Sequence, residues 1–208
     1  MLKRTFDLLC SALALLMLSP VMLAIALLLK LLDRGPIFYR GLRTGRFGKP
    51  FRVYKFRTMA VNAEQIGGPS TADEDPRITG LGKLLRKYKL DELPEMINVL
   101  RGEMSIVGPR PEVPQYVAML DEEERKILNL RPGITDWATL WNSDEGAVLA
   151  GSKDPEKLYL EKIRPTKLRL QLEYARKHSF LVDLSIVVQT LLAIVLRRKP
   201  AARRVLDG

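Results

Sequence analysis

Cysteine and histidine are nearly absent from this 208-residue chain, which contains one of each, Cys10 and His178. A single cysteine cannot form a disulfide bond within the chain, and it argues against a cysteine-based metal site. A single histidine excludes histidine-rich zinc sites and argues against a Ser-His-Asp triad. Any chemistry must therefore rest mainly on carboxylates, arginine and lysine, with or without a hard metal ion.

Acidic residues are the minority among the charged ones, 24 against 34 lysines and arginines, which gives a formal net charge of +10. Such an excess suits anionic partners, which include nucleic acid, anionic lipid headgroups and phosphorylated substrates. The chain has no recognisable aromatic-basic or helix-turn-helix signature, so we expect no nucleic-acid partner. A hydrophobic fraction of 47% is enough for one domain with a core.

An uncharged apolar run covers residues 8–29, close to the ~20 residues that a helix needs to cross a bilayer. A signal peptide would fit the preceding Lys3 and Arg4, but the run is too long and no small-residue cleavage site follows it. Ser19-Pro20 lies in the middle of the run. Proline lacks a backbone donor and clashes with the preceding turn, so it bends or breaks a helix.

Basic residues flank this run on both sides: Lys3 and Arg4 before it, and Lys30, Arg34, Arg40, Arg43 and Arg46 after it. The positive-inside rule places such flanks on the cytoplasmic side, and both can lie there only if the helix enters the bilayer and returns. We therefore predict that residues 1–34 form a re-entrant membrane helix broken at Ser19-Pro20, in preference to a simple spanning helix. The carbonyls freed near Pro20 need an internal donor, for which the Ser19 hydroxyl is a candidate.

Residues 35–208 form the second predicted unit, a compact mixed α/β domain that is mostly helical. Two short strands, 37–39 and 51–56, form a small β-hairpin, and an exposed loop lies between this hairpin and the next helix. Residues 81–89 form a basic amphipathic stretch. The sequence pattern predicts helices at 92–101, 115–129 and 155–178, with a stop at Gly102, a stiff loop at 107–111, a turn from 131 and an interruption or bend at Pro165.

The stretch 180–196 is apolar except for polar positions that include Asp183 and Gln189, and its uncharged part is too short to span a membrane. It is followed by Arg197, Arg198, Lys199, Arg203 and Arg204. Two interpretations stay open: a buried core helix with a solvated tail, and a helix at the membrane interface whose basic tail meets anionic lipid.

The segment 89–112 carries the densest set of candidate catalytic residues. Asp91 precedes a predicted helix, where it could serve only as an N-cap. The same position is a helix N-terminus, which favours phosphate. Asp91 and Glu92 are adjacent carboxylates that can take separate roles. One can attack phosphorus while the other binds Mg²⁺ or transfers a proton.

Four basic residues are candidate phosphate ligands: Lys55, Arg57, Arg86 and Arg110. Arg110 lies between two prolines and would present its guanidinium to a diphosphate with little freedom, or brace the loop through a salt bridge. Lys55 and Arg57 end the second strand and could reach phosphate or lie at a solvated hairpin edge. Asp183 lies in an apolar helix and needs a partner, either an arginine or a metal ion.

The chain resembles the monotopic phosphoglycosyl transferases, the bacterial sugar transferase family, over nearly its whole length. The resemblance rests on these segments in this order: Lys3-Arg4-Thr5-Phe6-Asp7, Ser19-Pro20, Gly35-Pro36-Ile37-Phe38, Lys55-Phe56-Arg57-Thr58-Met59, Asp75-Pro76-Arg77-Ile78-Thr79, Leu90-Asp91-Glu92-Leu93-Pro94, Asn98-Val99-Leu100, Met104-Ser105-Ile106-Val107-Gly108-Pro109-Arg110-Pro111 and Arg131-Pro132-Gly133-Ile134-Thr135.

This resemblance implies an enzyme that transfers a sugar 1-phosphate from a UDP-sugar to a polyprenyl phosphate, expected to be undecaprenyl phosphate, and so starts glycan assembly. Asp91 would attack the β-phosphorus and release UMP, leaving a covalent phosphosugar for the lipid phosphate to attack. Glu92 would support Mg²⁺ or proton transfer, and Arg86, Arg110 and Lys55 would bind phosphate.

The resemblance also implies that 35–208 is a catalytic domain on the cytoplasmic face of the bacterial inner membrane, with a C-terminal helix at the interface. Asp183 corresponds to a polar family position in that last helix and is expected to support the site. The chain lacks the extra amino-terminal region of larger relatives and so matches the minimal forms, for which a homodimer is a possible state. The alternative function is an inactive membrane-anchored scaffold that binds a nucleotide sugar or a lipid phosphate.

Overall fold

The computed structural model of the chain describes residues 2–68 and 70–196, which are mostly helical with small sheets. The α-helices are α1 (Leu2–Leu28), α2 (Gly80–Lys87), α3 (Glu95–Arg101), α4 (Pro114–Ala118), α5 (Trp137–Trp141), α6 (Glu145–Leu149), α7 (Pro155–Leu158), α8 (Arg164–Lys177) and α9 (Phe180–Val195). Short 3-10 turns cover Arg46–Gly48, Ala63–Gln65, Leu90–Glu92 and Glu124–Asn129, and π-helical turns cover Leu29–Asp33 and Tyr159–Ile163. The predicted class, mixed and mainly helical, is confirmed.

The predicted hairpin consists of two nested antiparallel pairs rather than one. The strands are β1 (Phe38–Tyr39), β2 (Leu42–Thr44), β3 (Pro50–Arg52) and β4 (Lys55–Phe56). β1 pairs with β4 and β2 pairs with β3. Phe51 and Val53 turn inward and pack in a buried cluster with Val99 and Met104, so that α3 lies against the hairpin. This contact holds the end of β4 close to α3.

A third pair of strands, β5 (Ser105–Val107) and β6 (Gly133–Thr135), was not predicted, since the sequence pattern indicated a loop and a turn at these positions. The strands are parallel and the backbones approach closely where Gly108 meets Gly133. A Cβ atom on Gly133 would lie 2.1 Å from the Gly108 nitrogen. Three-residue strands have no clear periodicity of their own, so only the partner strand identifies them.

The helix α1 continues through Pro20, so the predicted break is not an interruption of the helix. An N–H at residue 20 would bond the carbonyl of Leu16, and proline lacks that donor. The Ser19 hydroxyl donates to this same Leu16 oxygen at 2.8 Å. The predicted role of Ser19 is thereby confirmed, and this hydrogen bond explains why helical geometry persists across Pro20.

The amino-terminal end of α1 is fixed to the rest of the protein by polar contacts. The Arg4 guanidinium donates to the carbonyl oxygens of Val99 and Leu100 at 2.7 and 3.1 Å, at the end of α3. The buried Asp7 carboxylate accepts hydrogen bonds from the Ser105 hydroxyl at 2.8 Å and the Ile106 N–H at 3.0 Å. These contacts attach the first two turns of α1 to α3 and β5.

The other end of the same helix also contacts this domain. Ile25 and Leu29 are buried together with Phe56 and Leu85. Further along, the Thr79 hydroxyl, which caps α2, donates to Asp33 at 2.7 Å. In the part of the chain that the structure describes, no α1 residue between Ser11 and Ile25 is buried. The central apolar stretch of α1 therefore stands clear of the domain while both of its ends are attached to it.

Two predicted helices are divided in the structure, and the C-terminal end of a third is confirmed. The predicted helix 115–129 is α4 followed by the turn Glu124–Asn129. The predicted helix 155–178 is α7, a π-helical turn and α8, with Pro165 in the first turn of α8, which confirms an interruption near this proline. Asp121 and Glu124 form reciprocal side-chain to N–H hydrogen bonds that start the second piece of the first helix. The predicted stop at Gly102 is confirmed by its left-handed φ of 80°.

The helix α9 carries a row of exposed apolar side chains, of which Leu181 and Val195 are each 76% exposed. It meets the start of α1 through an edge-to-face contact between Phe6 and Phe180, with ring centroids 5.6 Å apart. The predicted basic tail of Arg197, Arg198, Lys199, Arg203 and Arg204 lies outside the described residues.

Candidate active site

Several separate elements bring charged side chains to one place beside α3. The strand β4 supplies Lys55, the helix α2 supplies Arg86, the turn Leu90–Glu92 supplies two carboxylates, and the loop after β5 supplies Arg110. The structure thus brings together five of the predicted site residues: Lys55, Arg86, Asp91, Glu92 and Arg110.

Asp91 is not a helix N-cap, because α3 begins later, with Pro94 at the cap position. It lies in a 3-10 turn that follows Lys89, whose backbone is left-handed with a φ of 55°. The Asp91 side chain is buried, and its Oδ1 has no hydrogen-bond partner among the described residues. Burial and the neighbouring Glu92 raise the pKa of Asp91, while Lys55, Arg86 and Lys89 oppose this rise. The fold therefore buries the Asp91 carboxylate but leaves its Oδ1 available to a ligand.

Glu92 differs from the adjacent Asp91 because two cations bind the Glu92 carboxylate. Lys55 Nζ lies 2.6 Å from Glu92 Oε1, and the Arg110 guanidinium contacts both oxygens, with Nη1 at 3.4 Å from Oε2. Burial alone would raise the pKa of Glu92, but Arg110 and Lys55 lower it well below its usual range. A carboxylate that stays ionised near neutral pH is poorly suited to donate a proton.

Glu95 is a site residue that the sequence reasoning missed. It is 1% exposed, one of its oxygens lies 3.2 Å from Lys55 Nζ, and Oε2 is buried without a partner among the described residues. Burial raises the pKa of Glu95 to about 6. The available signal was its spacing, since residues three and four apart share a helix face and Glu95 follows Glu92 and Asp91 at these intervals.

Arg86 lies beside Asp91 and is fixed by the strand region next to it. Its Nε donates to the Thr58 hydroxyl at 2.9 Å. Burial lowers the pKa of Arg86, against the effect of Asp91, but a guanidinium stays charged at any relevant pH. Its remaining N–H groups make it a suitable phosphate ligand next to the free Asp91 oxygen.

The structure places Arg57 away from the predicted phosphate-binding role. Its Nη2 donates to the carbonyl oxygens of Asp33 and Arg34 at 3.2 and 2.7 Å, and the side chain is 6% exposed. These are the carbonyls left open where the helical segment that follows α1 ends. Arg57 thus stabilises the end of the π-helical turn that follows α1.

Asp183 pairs with a lysine, whereas we predicted an arginine or a metal ion as its partner. Lys3 Nζ lies 2.6 Å from Asp183 Oδ2, and the Tyr174 hydroxyl donates to Oδ1 at 2.6 Å. The carboxylate is 2% exposed. Its position links the start of α1 to α8 and α9.

A second buried ionic cluster, also missed by the sequence reasoning, lies beside Arg110. Lys167 Nζ lies 2.8 Å from Glu112 and 3.1 Å from both Glu145 and the Tyr159 hydroxyl. Burial alone would lower the pKa of Lys167, but Glu112 and Glu145 raise it. The cluster is assembled from the loop before α4 and from α6 and α8, so residue spacing alone could not reveal it.

The acidic residues of the site fit a cation that is bound mainly through its substrate. No group of three or more His, Cys, Asp or Glu side chains converges as a metal site within residues 2–68 and 70–196. Mg²⁺ needs no such group, since it is commonly held by one or two carboxylates together with substrate phosphates. The Asp91 Oδ1 and Glu95 Oε2 atoms have no donor among the residues that the structure describes, whereas the Glu92 oxygens are bound by Lys55 and Arg110.

These features describe a chain with a helix long and apolar enough to cross a membrane, attached to a domain that holds an acidic and basic site. A family model described as bacterial sugar transferase matches residues 1–197. The chain therefore belongs to the bacterial sugar transferase family.

Curated relatives carry related names. The chain is 37% identical to the UDP-N-acetylgalactosamine-undecaprenyl-phosphate N-acetylgalactosaminephosphotransferase of Aeromonas hydrophila, over 93% of this chain and 43% of the relative. It is 38% identical to the UDP-glucose:undecaprenyl-phosphate glucose-1-phosphate transferase of Escherichia coli, over 91% of this chain and 39% of the relative. It is 37% identical to the exopolysaccharide production protein ExoY of Sinorhizobium fredii, over 94% of this chain and 86% of the relative. The chain thus spans less than half of the first two relatives and most of the third.

Proposed function

We propose that this protein transfers a sugar 1-phosphate from a UDP-sugar to a polyprenyl phosphate such as undecaprenyl phosphate, through a covalent intermediate on Asp91. The observation that carries the proposal is the buried Asp91 Oδ1, which has no partner among the described residues and lies among Arg86, Lys55 and Lys89. A free carboxylate oxygen surrounded by cations suits attack on an anionic phosphorus. The names of the relatives support the same reaction.

In the first step, an Asp91 oxygen bonds to the β-phosphorus and the bond from this phosphorus to the bridging oxygen breaks. UMP leaves with the bridging oxygen, and an aspartyl phosphosugar remains. In the second step, an oxygen of the polyprenyl phosphate attacks the same phosphorus and the Asp91 carboxylate departs. The product is a polyprenyl diphosphosugar, and the enzyme returns to its starting state.

The cationic side chains would stabilise the charge that accumulates on phosphate oxygens during both steps. Arg86 lies beside Asp91, and we assign it to the phosphate that is transferred. Lys55 and Arg110 hold Glu92 ionised, so that Glu92 keeps these cations oriented toward the site. Since they also bind the Glu92 oxygens, Mg²⁺ would bind through Asp91 together with the substrate diphosphate, where it would supply further charge neutralisation, and the sequence-based assignment of Glu92 as a second metal ligand is not kept.

We also propose that α1 is re-entrant and that the catalytic domain lies on the cytoplasmic face of the bacterial inner membrane. A straight spanning helix would place its ends on opposite sides of a hydrocarbon core about 30 Å thick. Both ends of α1 instead contact the same domain, through Arg4 and Asp7 at one end and Leu29 and Asp33 at the other. This arrangement favours both ends lying on one side, which brings the site to the level of lipid phosphates.

The test of the reaction is UMP release from a panel of UDP-sugars with polyprenyl phosphate and Mg²⁺, comparing wild type with Asp91→Asn. We expect release by the wild type and a loss of at least about a thousandfold in the variant, as for removal of a nucleophile. Asp121→Asn is the matched control, since Asp121 is exposed. Release by Asp91→Asn would eliminate Asp91 as the nucleophile. Binding without release by folded wild type would favour an inactive scaffold.

The topology has its own test, a cysteine-accessibility map in a Cys10→Ser background. Single cysteines at Lys3 and Lys30 should react with a membrane-impermeant reagent from the same side of sealed inverted vesicles. Reaction of the two positions from opposite sides would show a spanning helix and overturn the re-entrant proposal.

A further inference from the structure

An arginine-rich surface lies next to the amino-terminal end of α1 and takes no part in the chemistry proposed above. It consists of Tyr54 with Arg40, Arg52 and Arg101, and we refer to it as the Tyr54 cluster. The Arg40 guanidinium carbon lies 3.5 Å from the centroid of the Tyr54 ring, and that of Arg101 lies 5.2 Å from the same centroid. Two cations thus share one aromatic ring, although like charges repel.

The fold holds this ring in place. The Tyr54 N–H donates to the Asn98 side-chain oxygen at 2.8 Å, and the ring meets Phe38 edge to face at 5.8 Å. Arg52 donates to the Arg40 carbonyl oxygen at 3.0 Å, which fixes the two arginine-bearing segments relative to each other. The cluster is therefore a preorganised surface rather than a set of independent flexible side chains.

No carboxylate neutralises the Tyr54 cluster within the part of the chain that the structure describes. None of its three arginines forms an ion pair there, and the nearby Glu103 accepts a hydrogen bond from Asn98 instead. The Nε of Arg40 is buried without an acceptor. A guanidinium stacked on an aromatic ring is weakly hydrated and keeps its edge free for an anion. The cluster has the donors for an anion that the protein itself does not supply.

The position of the Tyr54 cluster beside α1 points to a membrane lipid as the source of that anion. Arg101 is the last residue of α3, where Arg4 of α1 donates to the Val99 and Leu100 carbonyls. Beyond Arg4, the next exposed apolar side chains of α1 come about one turn later, with Leu8 and Leu9 at 38% and 67% exposure. When the apolar part of α1 is inserted in a bilayer, the cluster lies at headgroup depth.

We propose that the Tyr54 cluster is a binding site for the phosphate of an anionic phospholipid headgroup, which orients the domain on the membrane surface. The arginines provide paired N–H donors for the phosphate oxygens, and Tyr54 keeps Arg40 in position. This inference requires the membrane insertion of α1 and is independent of the transfer reaction. Lys55 directly follows Tyr54, so headgroup binding would also fix the distance between the site and the lipid surface.

The experiment titrates the detergent-purified full chain with phosphatidylglycerol or phosphatidylcholine and counts bound lipids by native mass spectrometry. The test variant is Arg40→Gln with Arg101→Gln. The control variant is Arg125→Gln with Arg169→Gln, which removes the same charge from exposed positions in the turn Glu124–Asn129 and in α8. We expect the affinity for phosphatidylglycerol to fall at least about tenfold in the test variant and to be unchanged in the control.

Two further variants keep the result decisive. Arg101→Gln alone changes an exposed side chain and replaces the double variant if that one does not fold. Tyr54→Leu keeps every charge but removes the aromatic face, and should weaken phosphatidylglycerol binding about threefold. An equal loss in the test and control double variants, or no loss in either, would overturn the proposal.

A second arm separates phospholipid from the lipid substrate. The KM for polyprenyl phosphate in the UMP-release assay should change less than about twofold in the test variant. A large rise in this KM with unchanged phosphatidylglycerol binding would assign the cluster to the acceptor instead and overturn the proposal. Since lipid binding is measured without turnover, failure of the proposed transfer reaction would leave this result interpretable.

Discussion

Arg110 binds both carboxylate oxygens of Glu92, with Nη1 at 3.4 Å from Oε2 and Nη2 in contact with Oε1. Glu92 raises the pKa of Arg110, and Arg110 in turn keeps Glu92 ionised although both are enclosed by protein. Lys55 binds the same carboxylate at 2.6 Å. This arrangement fixes two cations around Glu92 before any substrate arrives, and Lys55 also acts on the neighbouring Asp91. Preorganised charge is an effective form of transition-state stabilisation.

Arg110→Lys should separate geometry from charge at this position. Lysine keeps the charge but cannot bind both Glu92 oxygens through a planar fork. We expect kcat/KM for UMP release to fall about ten- to a hundredfold, as for loss of a hydrogen bond between charged groups. The melting temperature should change little because Lys55 still neutralises Glu92. Arg43→Lys is the control, since the Arg43 guanidinium donates to the neighbouring Leu42 carbonyl and forms no ion pair within residues 2–68 and 70–196. An unchanged kcat/KM for Arg110→Lys would remove the fork from the mechanism.

Glu95→Gln should change the pH dependence of stability. Burial raises the pKa of Glu95 from an ordinary 4.5 to about 6, so the folded state holds this proton more tightly than the unfolded chain does. The stabilising contribution of the protonated form is complete below pH 4.5 and is lost as the pH rises through about 6.

Glutamine stays neutral at every pH. At pH 7.5 we therefore expect Glu95→Gln to be more stable than wild type by on the order of 1–2 kcal/mol, and at pH 4 the two should be equal. The measurement is thermal unfolding in detergent across this pH range. A variant less stable than wild type at pH 7.5 would mean that the ion pair with Lys55 outweighs the cost of burying the Glu95 charge.

Ser19→Ala should destabilise α1 only while Pro20 is present. The Ser19 hydroxyl replaces the donor that proline lacks at the Leu16 carbonyl. We expect a cost of about 0.5–1.5 kcal/mol in the wild-type background and none in Pro20→Ala, whose restored N–H bonds the same carbonyl. The four proteins of this double-mutant cycle can be compared by unfolding in a denaturing detergent. Equal costs in both backgrounds would show that the hydroxyl does not serve this carbonyl.

Gly82→Ala should disturb the site through α2, while Gly80→Ala should not. A Cβ at Gly82 would lie 2.0 Å from the Thr58 carbonyl oxygen, whereas a Cβ at Gly80 has nothing within 4 Å. The clash would push α2 away from Thr58, to which Arg86 is bound. We expect Gly82→Ala to be less stable than wild type by about 1–3 kcal/mol and to release less UMP. Gly80→Ala should match wild type in both measurements. Normal activity in Gly82→Ala would show that α2 can move without disturbing Arg86.

Local residue patterns determined several features of this protein without any structure. The apolar run of 8–29, the stop at Gly102 and the interruption near Pro165 depend on composition and backbone chemistry over a few residues, and the structure confirms them. The pairing of Ser19 with the carbonyl freed by Pro20 is equally local, because donor and acceptor are three residues apart. The family resemblance rests on the same kind of information, since long motifs in a fixed order are visible in the sequence.

Tertiary structure alone decided which charged residues meet. Lys55 and Arg57 are two residues apart, yet Lys55 binds Glu92 while Arg57 binds the carbonyls at the end of the π-helical turn that follows α1. Asp183 could not be matched with Lys3 from the sequence, because 180 positions separate them. Pairings of this kind depend on how distant elements pack, and packing is driven by burial of apolar surface that has no directional signal in the sequence. The sequence by itself determined the family and the residue types of the site. The fold decided that Lys55 and Arg110 bind Glu92, while the buried Asp91 Oδ1 has no partner among the described residues.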